Sequence, residues 1–479
     1  MRVPCPNLSI ADLVLFLFLV GFASIAITPG VIGAPTNETA HYPTVGEPTE
    51  CSNQSPHERS PTYLPDSSAG TPPTHHVIAT YSHIENTSRY HITFDIPANR
   101  TSGIQFEIPE QAALVATTGF KSNHGFWNWD KSSLTPTVVI DSNGTSSASS
   151  RVRGARFRFP HGEEWLLAPA VNLNGKNISV RPARAGAIGE QYLYLGPVSV
   201  HRNTVGCQEH IYIEPKAAPE NSATPAAVLN VLNESARRLD VGAADSTVRI
   251  FASPTVPEGR HSGWASENEF VAPAQVHVDS VGRGEIWIHE YVHTRQDFQA
   301  TRGLQWITEG SAEYLGRRLQ MELGLISPRE YDVLMSQYQQ VPNTSSLNRA
   351  PPTSNRSYHW GAAVLSQVDR HLTVQNASVA DLLAALNQQQ RVGSRDAEQW
   401  IMNHQNTSAN ASATYDFHEA TFSSSYPQPA YMHSTRYPPV LRAVIFHFGI
   451  EILRVLAGVL SLLSAIKFYQ SRKMTEPQE

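Results

Sequence analysis

The segment His289-Glu290-Tyr291-Val292-His293 sets two imidazoles four residues apart, with a carboxylate next to the first. On a helix that spacing is about one turn, so both rings face the same way. Two neutral imidazoles on one face can hold a Zn2+ ion, and the carboxylate between them can take a proton from a water there. Glu309 follows sixteen residues after His293 and can complete a two-histidine, one-glutamate set with a fourth position left open. Such a site activates water at neutral pH and polarises a carbonyl, the chemistry that cleaves amides. The expectation is one Zn2+ per chain, held by His289, His293 and Glu309, with Glu290 as general base.

These side chains need two helices. Glu285-Ile286-Trp287-Ile288 and Tyr291-Val292 supply an apolar stripe at helical spacing, which predicts a helix over 285–299. Trp306-Ile307-Thr308-Glu309 begins a second, over 306–323, in which Glu309 and Glu313 share a face. Metal-bound histidines need an acceptor on the other ring nitrogen, and Glu313 is the candidate for that support. The competing reading is a surface helix carrying two solvated histidines.

The motif residues resemble the gluzincin metallopeptidases, in particular the M1 and M61 aminopeptidase-like branch. His289-Glu290-x-x-His293 followed by Glu309-Gly310 and Tyr314 is similar to that family's zinc helix and its Glu-Gly-x-x-x-Tyr segment. Ser357-Tyr358-His359-Trp360-Gly361-Ala362-Ala363-Val364-Leu365 is similar to the stretch whose tyrosine stabilises the oxyanion, which gives Tyr358 that role by resemblance. Trp360 stands where the family has lysine. Gly263-Trp264-Ala265-Ser266-Glu267-Asn268 is a loose echo of the exopeptidase signature, and it makes Glu267 a candidate substrate-binding residue. The likeness covers about residues 225–375.

The rest of the chain frames this centre. Residues 1–34 contain the apolar run Leu13–Ala23 and read as a signal peptide or an uncleaved N-terminal anchor. Residues 35–74 are rich in Pro, Ser, Thr and Asn and read as a flexible linker. Period-two runs at 90–96, 155–159 and 210–213 indicate a β-rich, sandwich-like domain over 75–215. The catalytic domain is expected over 220–400. It has a helix at 223–240, strands at 247–251 and 274–278, and further helices at 328–338, 359–373 and 378–388. Ser378 suits an N-cap, whereas Ser327 beside Pro328 does not stand out as one. A polar stalk follows over 403–440. Residues 443–466 are long and apolar enough to span a membrane, with an interfacial helix as the alternative. Lys467, Arg472 and Lys473 then put a tail, 467–479, on the cytoplasmic side. The fold class is α+β: a β-rich domain, a mainly helical catalytic domain with a small sheet, and terminal membrane segments.

Beyond residue 34 lie twelve Asn-x-Ser/Thr acceptors, among them Asn86, Asn177, Asn233 and Asn376, which suit an exported glycoprotein. Only three cysteines occur, and Cys51 with Cys207 is the one pair outside the targeting segment. A net charge of −6 leaves no basic footprint, which argues against nucleic acid as a partner. The leading reading is a membrane-anchored extracellular zinc metallopeptidase. Its partners are a peptide or protein substrate and membrane lipid, the latter through the terminal segments. The alternative is a catalytically inactive zinc-binding surface glycoprotein serving adhesion or binding. Oligomeric state is not encoded in any of these features.

Overall fold

Alternation becomes a buried face as soon as the chain enters its first strands. The computed structural model describes residues 76–404 and Phe417, apart from 101–102, 110, 144–157, 176, 217–218, 256–262, 281–283, 341–345 and 353. The expected N-terminal segment, the linker, the 443–466 span and the tail lie outside the described residues. So does all of the expected stalk beyond His404 except Phe417. Among the described residues no helix is long and apolar enough to cross a membrane.

Val77, Ala79 and Tyr81 point inward from Val77–His83, as do Tyr90, Ile92 and Phe94 from Arg89–Asp95. These strands form the centre of a five-stranded sheet, ordered Ile178–Pro182, Val77–His83, Arg89–Asp95, Thr137–Asp141, Ala113–Thr118. A four-stranded sheet built on Gln105–Glu107, Phe120–Asn123, Phe126–Trp129 and Asn172–Asn174 shares its core, with Phe94 and Phe120 ring to ring at 5.1 Å. The β-rich region is therefore two packed sheets around one apolar layer.

A third sheet, of Leu166–Pro169, Gly186–Ile188 and Tyr192–Leu195, is buried on both faces. Leu166, Ala168, Leu193 and Leu195 face the sandwich core. Leu167, Tyr192 and Tyr194 face Ile211, Phe251 and Val271 of the next sheet. That next sheet is ordered Val198–Val205, Gln208–Pro215, Thr247–Ser253, Glu269–Pro273, Trp264–Ser266. The hairpin at 198–215 thus pairs with the sheet of the expected catalytic domain, on the far side of the expected division at 215, because Gln208–Pro215 runs parallel to Thr247–Ser253. The expected strand at 274–278 is not formed. The sheet's last strands are Glu269–Pro273 and Trp264–Ser266, and the Val276 amide closes a turn onto Pro273. Glu269 fastens the two parts together. Its buried carboxylate accepts the backbone N–H groups of Glu190, Gln191 and Tyr192 and pairs with Arg249 at 3.3 Å.

The sheet's other face carries the helices. Pro225–Arg238 starts from a Thr224 cap, and Val379–Asn387 from a Ser378 cap. Pro328–Tyr338 starts from a complete capping box, Ser327 with Glu330, which corrects the expectation for Ser327. Ser394–Asn403 is a helix that the sequence reading did not mark. Phe417 packs against Trp306 with ring centroids 5.7 Å apart, so this residue of the expected polar stalk belongs to the core.

Candidate metal centre

The zinc-motif helix is short and buried. It spans Ile286–His293, not 285–299, and every residue from Ile286 to Val292 is buried. Trp287, Ile288, Tyr291 and Val292 pack into the apolar core between sheet and helices, which removes the surface-helix reading. The helix stops because Thr294 turns its hydroxyl onto the Tyr291 carbonyl at 2.8 Å and the backbone tightens into turns at Arg295 and Gln296. Behind the motif, the Tyr291 hydroxyl donates to Gln208 Oε1 at 2.7 Å and accepts from Arg295 Nη1 at 2.7 Å. His210 lies 2.8 Å from that same Gln208 oxygen.

Trp306–Glu322 crosses this helix and brings Glu309 to the two rings. His289 Nε2 and His293 Nε2 are 3.2 Å apart, His293 Nε2 and Glu309 Oε2 are 3.2 Å apart, and His289 Nε2 and Glu309 Oε2 are 3.4 Å apart. Donors bound tetrahedrally to zinc at about 2.0–2.1 Å stand roughly 3.3–3.4 Å from one another. The triangle already has the edge length that a shared zinc ion requires.

The other ring nitrogens settle which atoms face inward. His289 Nδ1 lies 3.3 Å from Glu313 Oε2, and His293 Nδ1 lies 2.9 Å from Gln296 Oε1. Both outer nitrogens therefore donate, and both Nε2 lone pairs converge with a carboxylate oxygen. Three acceptors pointed at one spot need a cation, and one shared proton satisfies only part of them. Among the described residues, this is the one group of histidine, cysteine or carboxylate side chains arranged to hold a metal. Two-histidine, one-glutamate sets of this kind are the donor class of catalytic zinc hydrolases.

The surrounding carboxylates favour positive charge at this spot. Burial alone would lower His289, but Glu309 and Glu313 overcome it and hold the ring well above the usual histidine value. Burial would raise Glu309, yet the neighbouring histidines hold it far below the ordinary carboxylate value. Glu290 is pushed up to about 7 by burial, against the pull of His289 and His293. Glu313 is braced by Arg317 Nε at 3.0 Å and by the Tyr338 hydroxyl, and Arg317 also reaches Glu285 at 2.8 Å.

Tyr358 sits on a π-helical turn, Arg356–Trp360, that leads into the helix Gly361–Thr373. Such turns inside helices recur at functional sites. Its ring stacks on His289 at 5.5 Å, and its hydroxyl meets the Glu309 carboxylate. Burial, then Glu309 and Glu290, keep the phenol strongly protonated.

The structure thus brings His289, Glu290, His293, Glu309, Glu313 and Tyr358 together. Glu267 stands apart, exposed at the turn between Trp264–Ser266 and Glu269–Pro273 with a left-handed backbone, φ 52°. Gln296 was missed, because its only signal was lying three residues past His293 on a helix expected to continue. Gly263 was read only as part of a loose motif, yet it lies directly against Glu290: a Cβ there would come within 2.5 Å of Glu290 Oε1. Cys207 is disulfide-bonded, and its partner lies outside the described residues. Asn233, one of the glycan acceptors, is buried with its amide oxygen 2.8 Å from His210 Nδ1.

No protein-family model matches this sequence. No curated protein matches it either. Solved structures do resemble it. The M1 zinc metallopeptidase from Deinococcus radiodurans is 12% identical, with a TM-score of 0.48, over 74% of this chain and 95% of its own. An aminopeptidase N family protein from Idiomarina loihiensis is 12% identical, with a TM-score of 0.44, over 65% of this chain and 70% of its own. Aminopeptidase A from Legionella pneumophila is 10% identical, with a TM-score of 0.39, over 72% of this chain and 49% of its own. These are likenesses of overall fold.

Proposed function

We propose that this protein is a zinc-dependent metallopeptidase that hydrolyses peptide bonds. The observation that carries the reading is the triangle of His289 Nε2, His293 Nε2 and Glu309 Oε2, with edges of 3.2, 3.2 and 3.4 Å, His293 Nδ1 hydrogen-bonded to Gln296 and His289 Nδ1 paired with Glu313 at 3.3 Å. When bound there, zinc supplies a Lewis acid that polarises a carbonyl and makes water nucleophilic near neutral pH. Glu290, buried beside the two histidines, accepts the proton of the attacking water and returns it to the leaving amine. Tyr358, kept protonated beside Glu309, has an O–H to offer the developing oxyanion.

A peptide substrate is favoured by the strand Trp264–Ser266. Among the described residues it is the outermost strand of its sheet, laddered to Glu269–Pro273. Its approach, Gly263, lies against Glu290. An extended chain added along that edge runs its backbone past the general base. The placement outside the cell, tethered at the ends, rests on the apolar runs Leu13–Ala23 and 443–466.

The test is digestion of a mixed peptide library by the purified full chain, with metal content measured on the same sample. Stoichiometric zinc and chelator-sensitive cleavage are expected, and Glu290→Gln should keep the zinc while losing about 10²–10⁴-fold in kcat. Absence of bound zinc, or cleavage undiminished in Glu290→Gln, overturns the reading. Extraction of native membranes at alkaline pH tests the tether: a chain released into the supernatant contradicts it.

A further inference from the structure

We propose that Gln296 is a positioning residue, one that fixes which nitrogen of His293 faces the metal and ties that ring to the backbone just before Glu309. The proposal rests on the metal reading above. Gln296 lies in the turn after the zinc-motif helix, where its amide N–H donates to the His293 carbonyl at 3.1 Å and folds the residue back towards the ring.

The side-chain amide can be oriented from its partners. Gln296 Nε2 lies 3.0 Å from the Thr308 carbonyl and 2.9 Å from Ser311 Oγ. A carbonyl only accepts, so the nitrogen faces Thr308 and the oxygen faces His293. Ser311 Oγ passes its own proton to the Thr308 carbonyl at 3.3 Å and is left to accept from Gln296. Every polar atom of the amide is then used.

An oxygen at 2.9 Å from His293 Nδ1 requires that nitrogen to carry the hydrogen. The Nε2 lone pair is thereby left bare and aimed at the triangle with His289 and Glu309. Because Thr308 immediately precedes Glu309, one amide sets both the tautomer of the second ligand and its separation from the third. The two histidines are served differently. His289 meets the charged Glu313, braced by Arg317, whereas His293 meets a neutral amide. A neutral acceptor orients the ring without adding a fourth carboxylate to the cluster of Glu290, Glu309 and Glu313.

The test compares the full chain with Gln296→Met and Gln296→Glu. Zinc affinity is read by chelator competition, and the absorption spectrum of the cobalt-substituted protein reports ligand geometry. Methionine keeps the length but accepts nothing, so zinc binding should weaken about 10–100-fold and the cobalt spectrum should change. The unfolding midpoint of the chelator-treated protein should change little. Glutamate keeps the acceptor towards His293 and should recover most of the lost affinity, even if the contact with Thr308 costs some stability. Wild-type affinity in Gln296→Met overturns the proposal. So does a glutamate variant as weak as the methionine one, since the loss would then follow packing and not the acceptor. A wild-type chain that binds neither zinc nor cobalt instead defeats the metal reading itself.

Discussion

Gly310 and Gly361 meet backbone to backbone: a Cβ on the first would lie 3.0 Å from the Cα of the second, and the reverse contact would be 3.1 Å. This near-touch lets the helix carrying Glu309 lie directly against the turn carrying Tyr358. It gives a packing reason for glycine after Glu309 and glycine after Trp360.

Replacing either glycine by alanine should therefore harm the site more than the fold. Alanine gains about 1 kcal/mol of helix preference, while overpacking costs about 1–3 kcal/mol, so the net loss of stability should be small. Prising the two backbones apart moves Tyr358 relative to Glu309, and kcat should fall about tenfold or more. Unfolding midpoints and kcat measured on Gly361→Ala check this. A variant with wild-type kcat would show that the close crossing does not set the catalytic geometry.

Gly263→Ala tests the other side of the cleft. The added Cβ would press on Glu290 Oε1, and the carboxylate must swing away. We expect kcat to drop about 10²-fold with zinc content unchanged, because no ligand is touched. Loss of zinc together with activity would mean that Gly263 supports the whole centre and not Glu290 alone.

His210 makes stability depend on pH. Burial, helped by the Arg295 charge and opposed by Asn233, lowers this ring to about 4. An unfolded histidine titrates near 6.5, so below that pH the unfolded chain binds a proton that the folded chain refuses. The contribution is intact above about pH 6.5 and is lost as pH falls towards 4, at up to about 1.4 kcal/mol per pH unit. Denaturant titrations at pH 7 and pH 5 should show this slope in the wild type and a shallower one in His210→Gln. Equal slopes would remove His210 from the account.

Glycan mapping separates exposed acceptors from buried ones. Asn86, Asn177 and Asn376 are exposed, each with a positive φ, whereas Asn233 is buried against His210. In protein made by a glycosylating host, glycopeptide mass spectrometry should find modification confined to exposed sites, with Asn233 bare. A glycan on Asn233 would require that helix to open.

Some of this was legible residue by residue. His289, Glu290 and His293 are local: helical periodicity alone puts the two rings on one face. Glu309 and Glu313 were readable for the same reason, four residues apart on a helix whose apolar face is plain. The bounds of the zinc-motif helix were not. Periodicity ran on past His293, and only the Thr294 hydroxyl bonded back to Tyr291 and the turn at Gln296 ended it.

The chain by itself determined that His289 and His293 share one helical face and that Glu309 and Glu313 share another, because a spacing of four residues puts side chains on one side of a helix. Only the tertiary structure decided that Glu309 meets the two histidines, that Thr308 and Ser311 turn the Gln296 amide onto His293, that Gly263 presses on Glu290, that the 198–215 hairpin joins the sheet of Thr247–Ser253 and that Asn233 is buried. Each of those depends on segments far apart in sequence packing at van der Waals distance, where a shift of an ångström changes the partner. Local periodicity carries no record of that.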